Sequence, residues 1–179
     1  MMNTTIHTLE SAPEAAKPLL ESSNKAFGMI PNLHGVMAES PELLKGYQTI
    51  TQLFQSSDFS NEELTVVWQT INVYHQCHYC VPGHTAIAKS MKVDDAITAR
   101  IREHAPLDDP KLQVLREVTE HILESRGHLS EELWARFSEV GYSDKHLLQI
   151  VLGISHKVMS NYTNSLYETP VDDAFKMFE

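Results

Sequence analysis

Apolar residues along this chain recur at three- or four-residue spacing over most of its length, and only seven glycines interrupt them. That period is the signature of amphipathic helices, and the chain is read as all-α. Residues 12–27 form a first predicted helix, ending near Gly28. The following stretch, GMIPNLHGVMAESPELL, has boundaries marked by Pro31 and Pro41. Ser40 before Pro41 suits an N-cap followed by proline in the first helical position. A helix from there to about Gln55 is expected to bury Leu43, Leu44, Tyr47, Ile50 and Leu53. Ser60 with Glu63 three residues on makes a capping box. The helix it opens carries Leu64, Val66, Val67, Trp68, Ile71 and Tyr74 as its apolar positions.

A further helix is predicted after the cysteines, with Ala86, Ile87, Ala88 and Met91 inside, then a short one from Val93 to about Glu103. HAPLDDP has loop character, and a loose subdomain boundary is placed at 104–110 within what is otherwise one domain spanning 1–179. Beyond it, Lys111 to Ser125 is amphipathic, with Leu112, Val114, Leu115, Val118 and Ile122 inward. Ser130 opens a helix ended near Gly141, and Ser143 caps a long apolar one through about Ser165. FSNEEL at 59–64 and LSEEL at 129–133 each follow a polar loop and open a helix, which hints at an internal duplication.

Composition narrows the function classes. Fourteen Lys and Arg against 24 Asp and Glu give a formal charge of −10, which repels phosphate backbones and anionic membranes, so no nucleic-acid partner is expected. No apolar run approaches the roughly 18 residues that would span a bilayer. The N-terminal MMNTTIHTLESAPEAAK lacks a basic segment followed by an apolar one, so a cytoplasmic protein is expected.

The chemistry concentrates in QCHYCVPGH, residues 76–84, which holds both cysteines of the chain. In a reducing compartment a CxxC is more often catalytic or metal-binding than a structural staple, and so small a loop adds little stability by entropy. Pro82 belongs in the first turn of a helix, so the helix is predicted to begin around 78–80. Cys77 and Cys80 would then sit at its N-terminus, where unpaired N–H groups and the positive dipole end favour a thiolate. The spacing also brings the two sulfurs within disulfide reach. His84, four residues after Cys80, shares its helical face and can take its proton or stabilise the thiolate. His75 and His78 are further proton carriers. His75, Cys77, Cys80 and His84 are also zinc ligand types, and His34, His121 or His156 could complete such a site in three dimensions.

VWQTINVYHQCHYCVPGHTAIAK resembles the redox motif of the AhpD-like, or carboxymuconolactone decarboxylase, family, in particular its peroxidase-related branch. FGMIPNLHGVMAESPELL is similar to the family's upstream segment, and VLGISHKVMSNYTNSLYETPVDDAF to its closing helix and tail. The resemblance implies an AhpD-like multi-helix fold, assembly as a trimer or hexamer, and alkylhydroperoxidase-like, peroxiredoxin-type chemistry without a cofactor. By that resemblance Cys80 is the peroxide-attacking thiol and Cys77 the more exposed resolving thiol that closes the Cys77–Cys80 disulfide. His84 is the base or relay. A hydroperoxide or disulfide is the substrate, and a lipoyl-bearing or thioredoxin-like partner resets the dithiol. The family's relay glutamate corresponds to Thr65 here, and a histidine often found before the second cysteine is Tyr79. His75, Tyr79 and Thr65 therefore stand as relay candidates. The family's lactone decarboxylation is not carried over.

Trp68 and Trp134 fall on apolar helical faces and read as core, and the methionines as gap-fillers, with Met29, Met37, Met91 and Met159 able to line a pocket near the thiols. Asn161 and Tyr162 are out of place in an apolar helix and point to the site, to a subunit interface or to capping of the helix end. Asp94–Asp95, Asp108–Asp109 and Asp172–Asp173 read as solvated caps and turns. Two functions remain in play: a dithiol oxidoreductase, and a non-catalytic oligomer whose CxxC senses oxidation or holds zinc.

Overall fold

The structure, a computed structural model, describes residues 5–179, and among these residues it is all-α. The helices are α1 (Lys17–Phe27), α2 (Asn32–Met37), α3 (Pro41–Gln55), α4 (Asn61–Tyr74), α5 (Cys80–Ser90), α6 (Asp95–Arg102), α7 (Pro110–Ser125), α8 (Glu131–Glu139) and α9 (Asp144–Tyr167), followed by a short 3₁₀ turn at Lys176–Phe178.

α4 is the axis of the molecule. It is buried without a break from Glu63 to Asn72, and α5, α6, α7 and α9 all pack against it. A helix buried on every side has no solvent face for its polar residues, so each of them needs a partner inside the protein. Its start is secured by the predicted capping box: Ser60 Oγ accepts from the Glu63 N–H at 3.2 Å and Glu63 Oε2 accepts from the Ser60 N–H at 2.8 Å. Glu63 does more than cap. Its other oxygen accepts from Tyr142 Oη at 2.8 Å and pairs with Lys111 Nζ at 2.9 Å, pinning α7 and the α8–α9 connection to α4.

Two apolar clusters result. The larger runs from Phe54 through α4, α6, α7 and Phe137 to Ile150 of α9. The smaller joins Ala12, Ala16, Leu20, Leu33, Leu44 and Tyr47 to the cysteine segment. At segment 104–110, Leu107 is buried in the larger cluster, and Arg116 Nη1 and Gln113 Oε1 reach back to bond Ala105 O and Leu107 N. FSNEEL and LSEEL also differ in detail. The second lacks a glutamate at the third helical position, so Ser130 Oγ accepts from Leu133 N with no return bond from that side chain, and its helix runs only nine residues.

Most predicted boundaries hold to within a few residues, and three expectations change. Regular helix α1 begins at Lys17 rather than near residue 12, because Pro18 tolerates only a first-turn position. The short α2, unpredicted, fills the space between the two prolines. On α3 the buried phase is Leu44, Tyr47 and Phe54, which leaves Leu53 about 100° around the helix and exposed.

The contact that aims α9 at the site is glycine-dependent. A Cβ on Gly153 would stand 2.9 Å from two Phe54 ring carbons and 3.0 Å from Val67 Cγ1. α9 therefore lies close against both α3 and α4 at that level, and the residues one and more turns further along are carried inward. Gly153→Ala is expected to lower stability by about 1–3 kcal/mol through overpacking, despite alanine's better helix propensity, as read from urea unfolding. An unchanged or raised midpoint would show that the approach of α9 is not this tight.

Candidate functional site

Backbone geometry at the end of α4 delivers the first cysteine. Cys77 N–H bonds Asn72 O and Gln76 N–H bonds Val73 O, both at 3.0 Å, with Gln76 left-handed at φ 50°, which is a Schellman ending. The chain reverses, and α5 starts at Cys80. Cys80 N–H then points at Cys77 Sγ, 3.2 Å away, so one unpaired donor of the new helix is satisfied by the first sulfur. Both thiols are free and buried, Cys77 the slightly more exposed of the two at 5% against 2%.

α9 supplies the groups around them. Lys157, Asn161 and Asn164 recur at i, i+4 and i+7 and are all buried. Asn164 Nδ2 lies 3.3 Å from Cys80 Sγ and 3.8 Å from Cys77 Sγ, so a side-chain amide donates to the dithiol. Asn161 Nδ2 donates to Asn72 Oδ1 at 3.0 Å. Asn72 in turn donates to Gln69 Oε1 at 3.0 Å and to Cys80 O at 3.4 Å. Gln69 Nε2 closes the ladder on Val81 O and Thr85 Oγ1. The polar residues of buried α4 thus hold the first turn of α5 in place.

Lys157 is the only lysine of the described residues to be fully buried, and its Nζ lies 2.7 Å from His84 Nε2. No carboxylate among the described residues pairs with it. Burial pulls its ammonium below the usual lysine range, while Cys80 and Cys77 pull it back up. The two thiols are driven apart. Burial alone would raise Cys80, but the Cys77 S–H donating to it, the Lys157 charge, and the amides of Asn164 and Asn161 bring it down to about 6. Cys77, giving its hydrogen bond to Cys80 and sharing its burial and negative charge, is pushed upward. Cys80 is therefore the thiolate and Cys77 the thiol, an asymmetry that suits attack by one and resolution by the other.

His84 does not hydrogen-bond either sulfur. Its Nε2 is taken by Lys157 and its Nδ1 is buried with no partner among the described residues. Burial, then the charge of Lys157 and the proximity of His156, hold it well below the ordinary imidazole range, so it is neutral. The other relay candidates are engaged elsewhere. Thr65 Oγ1 donates to Asn61 O within α4 at 2.8 Å. The Tyr79 hydroxyl donates to Asp172 and accepts from Leu33 N–H. His75 lines a surface groove, edge-on to Tyr162 with centroids 5.4 Å apart. Asp172 itself is a correction: it is buried, and it also accepts from Asn32 N–H at 3.0 Å, so the tail clamps the CHYC segment instead of forming a solvated turn. His78 adds to the clamp by bonding Thr169 O at 2.9 Å. Asp94 and Asp109 do cap α6 and α7 as expected. His75, Cys77, Cys80 and His84 are not gathered around a common point, and no cluster of three or more His, Cys, Asp or Glu among the described residues could hold a metal ion.

A small pocket of about 50 Å³ reaches Cys80, with Lys157, His84, Tyr79 and Phe175 on its wall. Five residues, among them His34, Tyr47 and His84, also line a larger groove of about 420 Å³ running out between α1, α3 and α5, with Met91 at its edge. The groove wall is a chain of rings: His34 edge-on to Tyr47 at 5.6 Å, Tyr47 stacked on His156 at 4.6 Å, Trp68 tilted against His156 at 6.0 Å and against His84 at 4.9 Å. Trp68, read from sequence as core, is core on one side and groove wall on the other. His156 has one tautomer: Nδ1 accepts from Trp68 Nε1–H at 3.1 Å, so Nε2–H donates to Thr51 Oγ1 at 2.8 Å, whose proton goes to Tyr47 O. Burial holds His34 down to about 4 and His156 well below the ordinary range.

Of the residues that make this site, Lys157 and Asn164 were not anticipated. Their signal was present in the sequence: a lysine and two asparagines on one face of an otherwise apolar helix. Tyr162, one residue from Asn161, is exposed on the other side.

In fold the chain is similar to the AhpD core of an uncharacterized peroxidase-related protein from Ralstonia eutropha JMP134, at a TM-score of 0.86 and 14% identity, covering 99% of this chain and 97% of that one. It is similar to a peroxidase-related protein from Silicibacter sp. TM1040, at 0.80 and 18%, covering 97% and 95%. The debrominase Bmp8, solved as a cysteine-to-alanine variant in complex with 2,3,4-tribromopyrrole, matches at 0.82 and 16%, covering 99% and 96%. No family model matches the sequence, and no curated protein matches it. The chain has the AhpD-like fold that its motif resembled.

Alkylation of the reduced protein by iodoacetamide is expected to be lost as pH falls through about 6, the Cys80 value, and Asn164→Ala should move that inflection upward by removing a donor to the thiolate. An inflection near the free-thiol range in the wild type would contradict the arrangement. Stability should also fall on acidification. His34, His84 and His156 are neutral when folded and charge freely near 6.5 when unfolded, so the unfolded state binds more protons and stability is lost as pH drops below that value. With three such groups the slope around pH 5 approaches roughly 4 kcal/mol per pH unit, measurable by urea unfolding across pH.

Proposed function

We propose that this protein is a dithiol oxidoreductase of the alkylhydroperoxidase type, reducing an organic hydroperoxide through Cys80 and Cys77. The observation that carries the reading is a thiolate-forming Cys80 at the inner end of a pocket, with a protonated Cys77 beside it, an amide donating to the pair and an ammonium lining the same pocket. Cys80 sulfur attacks the terminal oxygen of the hydroperoxide. An S–O bond forms, the O–O bond breaks, and the departing alkoxide leaves as the alcohol once protonated. Cys77 then attacks Cys80, the S–S bond forms, and the sulfenic oxygen leaves as water. Two electrons have passed from the two sulfurs to the peroxide. A dithiol of lipoyl or thioredoxin type restores them by exchange, and a small disulfide could be handled by the same exchange in reverse. The relay glutamate of the family is not needed to ionise the thiol, because Lys157 and the two asparagines serve that end.

A second reading draws on the ring-lined groove and on the fold shared with the debrominase. The same thiolate could attack bromine on an electron-rich ring, forming S–Br and breaking C–Br while the ring carbon takes a proton. Cys77 would then displace bromide as the disulfide forms. The stacked Tyr47–His156 wall favours a planar ligand, which is the observation behind this alternative. We extend the proposal to a cytoplasmic homo-oligomer, since α9 leaves Leu148, Val151, Tyr162 and Leu166 exposed along one side; sedimentation of the purified protein at a monomer mass would reject that part.

Stopped-flow mixing of reduced protein with cumene hydroperoxide is expected to consume both thiols, with recovery by a dithiol reductant. Cys80→Ser should abolish consumption, and Cys77→Ser should stop at a sulfenic acid that dimedone traps. Equal rates for Cys80→Ser and wild type would end the peroxidase reading. Bromide release from a brominated pyrrole, with hydroperoxide left untouched, would select the second.

A further inference from the structure

The dithiol's chemistry requires two protons for the two oxygens that leave, and a Cys80 thiolate with a Cys77 thiol carries only one. Lys157 lies where the second is needed. Its ammonium shares the Cys80 pocket, it bonds His84 at 2.7 Å, and it is fully buried without a carboxylate. The titratable groups that share the pocket with it are His34 from α2, Tyr47 from α3, Tyr79 and Cys80 at the α5 start, and His84 within α5, with His156 next to it on α9. The imidazoles are neutral, and Asp172 is occupied by the Tyr79 hydroxyl and Asn32 N–H. The counter-charge of the ammonium is therefore the dithiol itself, as the upward pull of Cys80 and Cys77 on Lys157 reflects.

We propose that Lys157 is the acid of the resolving step: it gives a proton to the oxygen that leaves as the disulfide forms, stays a neutral amine while the disulfide lasts, and regains its charge when the dithiol is reduced. This rests on the dithiol reading of the preceding section. The balance closes without solvent. Cys77 S–H gives its proton to the alkoxide and becomes the thiolate that attacks. The hydroxide expelled from Cys80 takes the Lys157 proton and leaves as water. One thiolate, one thiol, one ammonium and ROOH become one disulfide, one amine, ROH and H₂O, with no change in net charge. Once both sulfurs are neutral, nothing offsets the burial of the ammonium, and desolvation keeps the amine uncharged. The amine then becomes an acceptor, and His84, whose Nδ1 is unpartnered, can shift its proton to Nε2 and donate to it. His84 thus acts through Lys157 as a positioning residue.

The test uses the whole protein with ¹³Cε-labelled lysine, comparing the dithiol with the disulfide formed by diamide. The Lys157 resonance, assigned by its loss in Lys157→Met, is expected to titrate at least about two pH units lower in the disulfide form. In weak buffer near pH 7.5, one equivalent of tert-butyl hydroperoxide should draw no net proton from solvent in the wild type. Equal Lys157 ionisation in both redox states, or uptake of one proton per disulfide, would overturn the proposal while leaving the oxidoreductase reading intact. Failure of diamide to close the disulfide would reject both. A disulfide that forms with diamide but not with hydroperoxide would reject the peroxidase reading and, with no oxygen left to protonate, the acid role of Lys157 as well.

Discussion

A lysine ammonium buried without a carboxylate is the constraint on which the site depends. Taking such a charge out of water costs several kcal/mol unless something nearby answers it. Here the answer is a sulfur acid of adjustable charge, Cys80, with the neutral ring of His84 sharing the proton donor. Charge at one end of the pair therefore requires charge at the other. The Lys157 charge lowers Cys80, while the thiolate beside Cys77 and its own burial raise Cys77. A carboxylate beside Lys157 would have removed that link by neutralising it permanently.

Holding the lysine there is the task of the helices. α4 is buried on all sides, and its inward polar residues are spent on binding α5 and α9: Gln69 and Asn72 bond the first turn of α5, and Asn161 bonds Asn72. Gly153 lets α9 lie close enough to α3 and α4 for Asn164 to reach the sulfurs and Lys157 to reach His84 in the Cys80 pocket. From the other direction the tail closes over Tyr79 and His78 through Asp172 and Thr169. The cysteine segment is thus held from three sides.

Oxygen and bromine chemistry ask nearly the same of such a centre. In each the thiolate attacks an electrophilic atom, a leaving group departs, and a second thiol closes the disulfide. What differs is the shape and polarity of the approach. The wall of neutral imidazole, phenol and indole rings offers faces and edges to a planar ligand and offers no fixed charge until the inner end, where Lys157 lies. On the proposed function, substrate preference is a property of the groove, and the reaction type a property of the dithiol.

Local information was enough for much of this. Helical period, the Ser60–Glu63 box, the Ser40–Pro41 start and the Pro82 constraint each act within a few residues, so the sequence by itself determined an all-α chain, most helix boundaries, and two cysteines at the start of a helix. The partners of those cysteines were another matter. His84 shares a helical face with Cys80 by spacing, yet its nitrogen is claimed by a lysine 73 positions further on. Tyr79, a relay candidate by alignment to a motif, is tied to an aspartate 93 positions away. The oddity of Lys157, Asn161 and Asn164 on an apolar helix could be seen in the sequence, but not what they face. Which thiol ionises, which histidines stay neutral and where a ligand enters were decided only by tertiary structure, because burial and long-range charge set them and neither is encoded by neighbours along the chain.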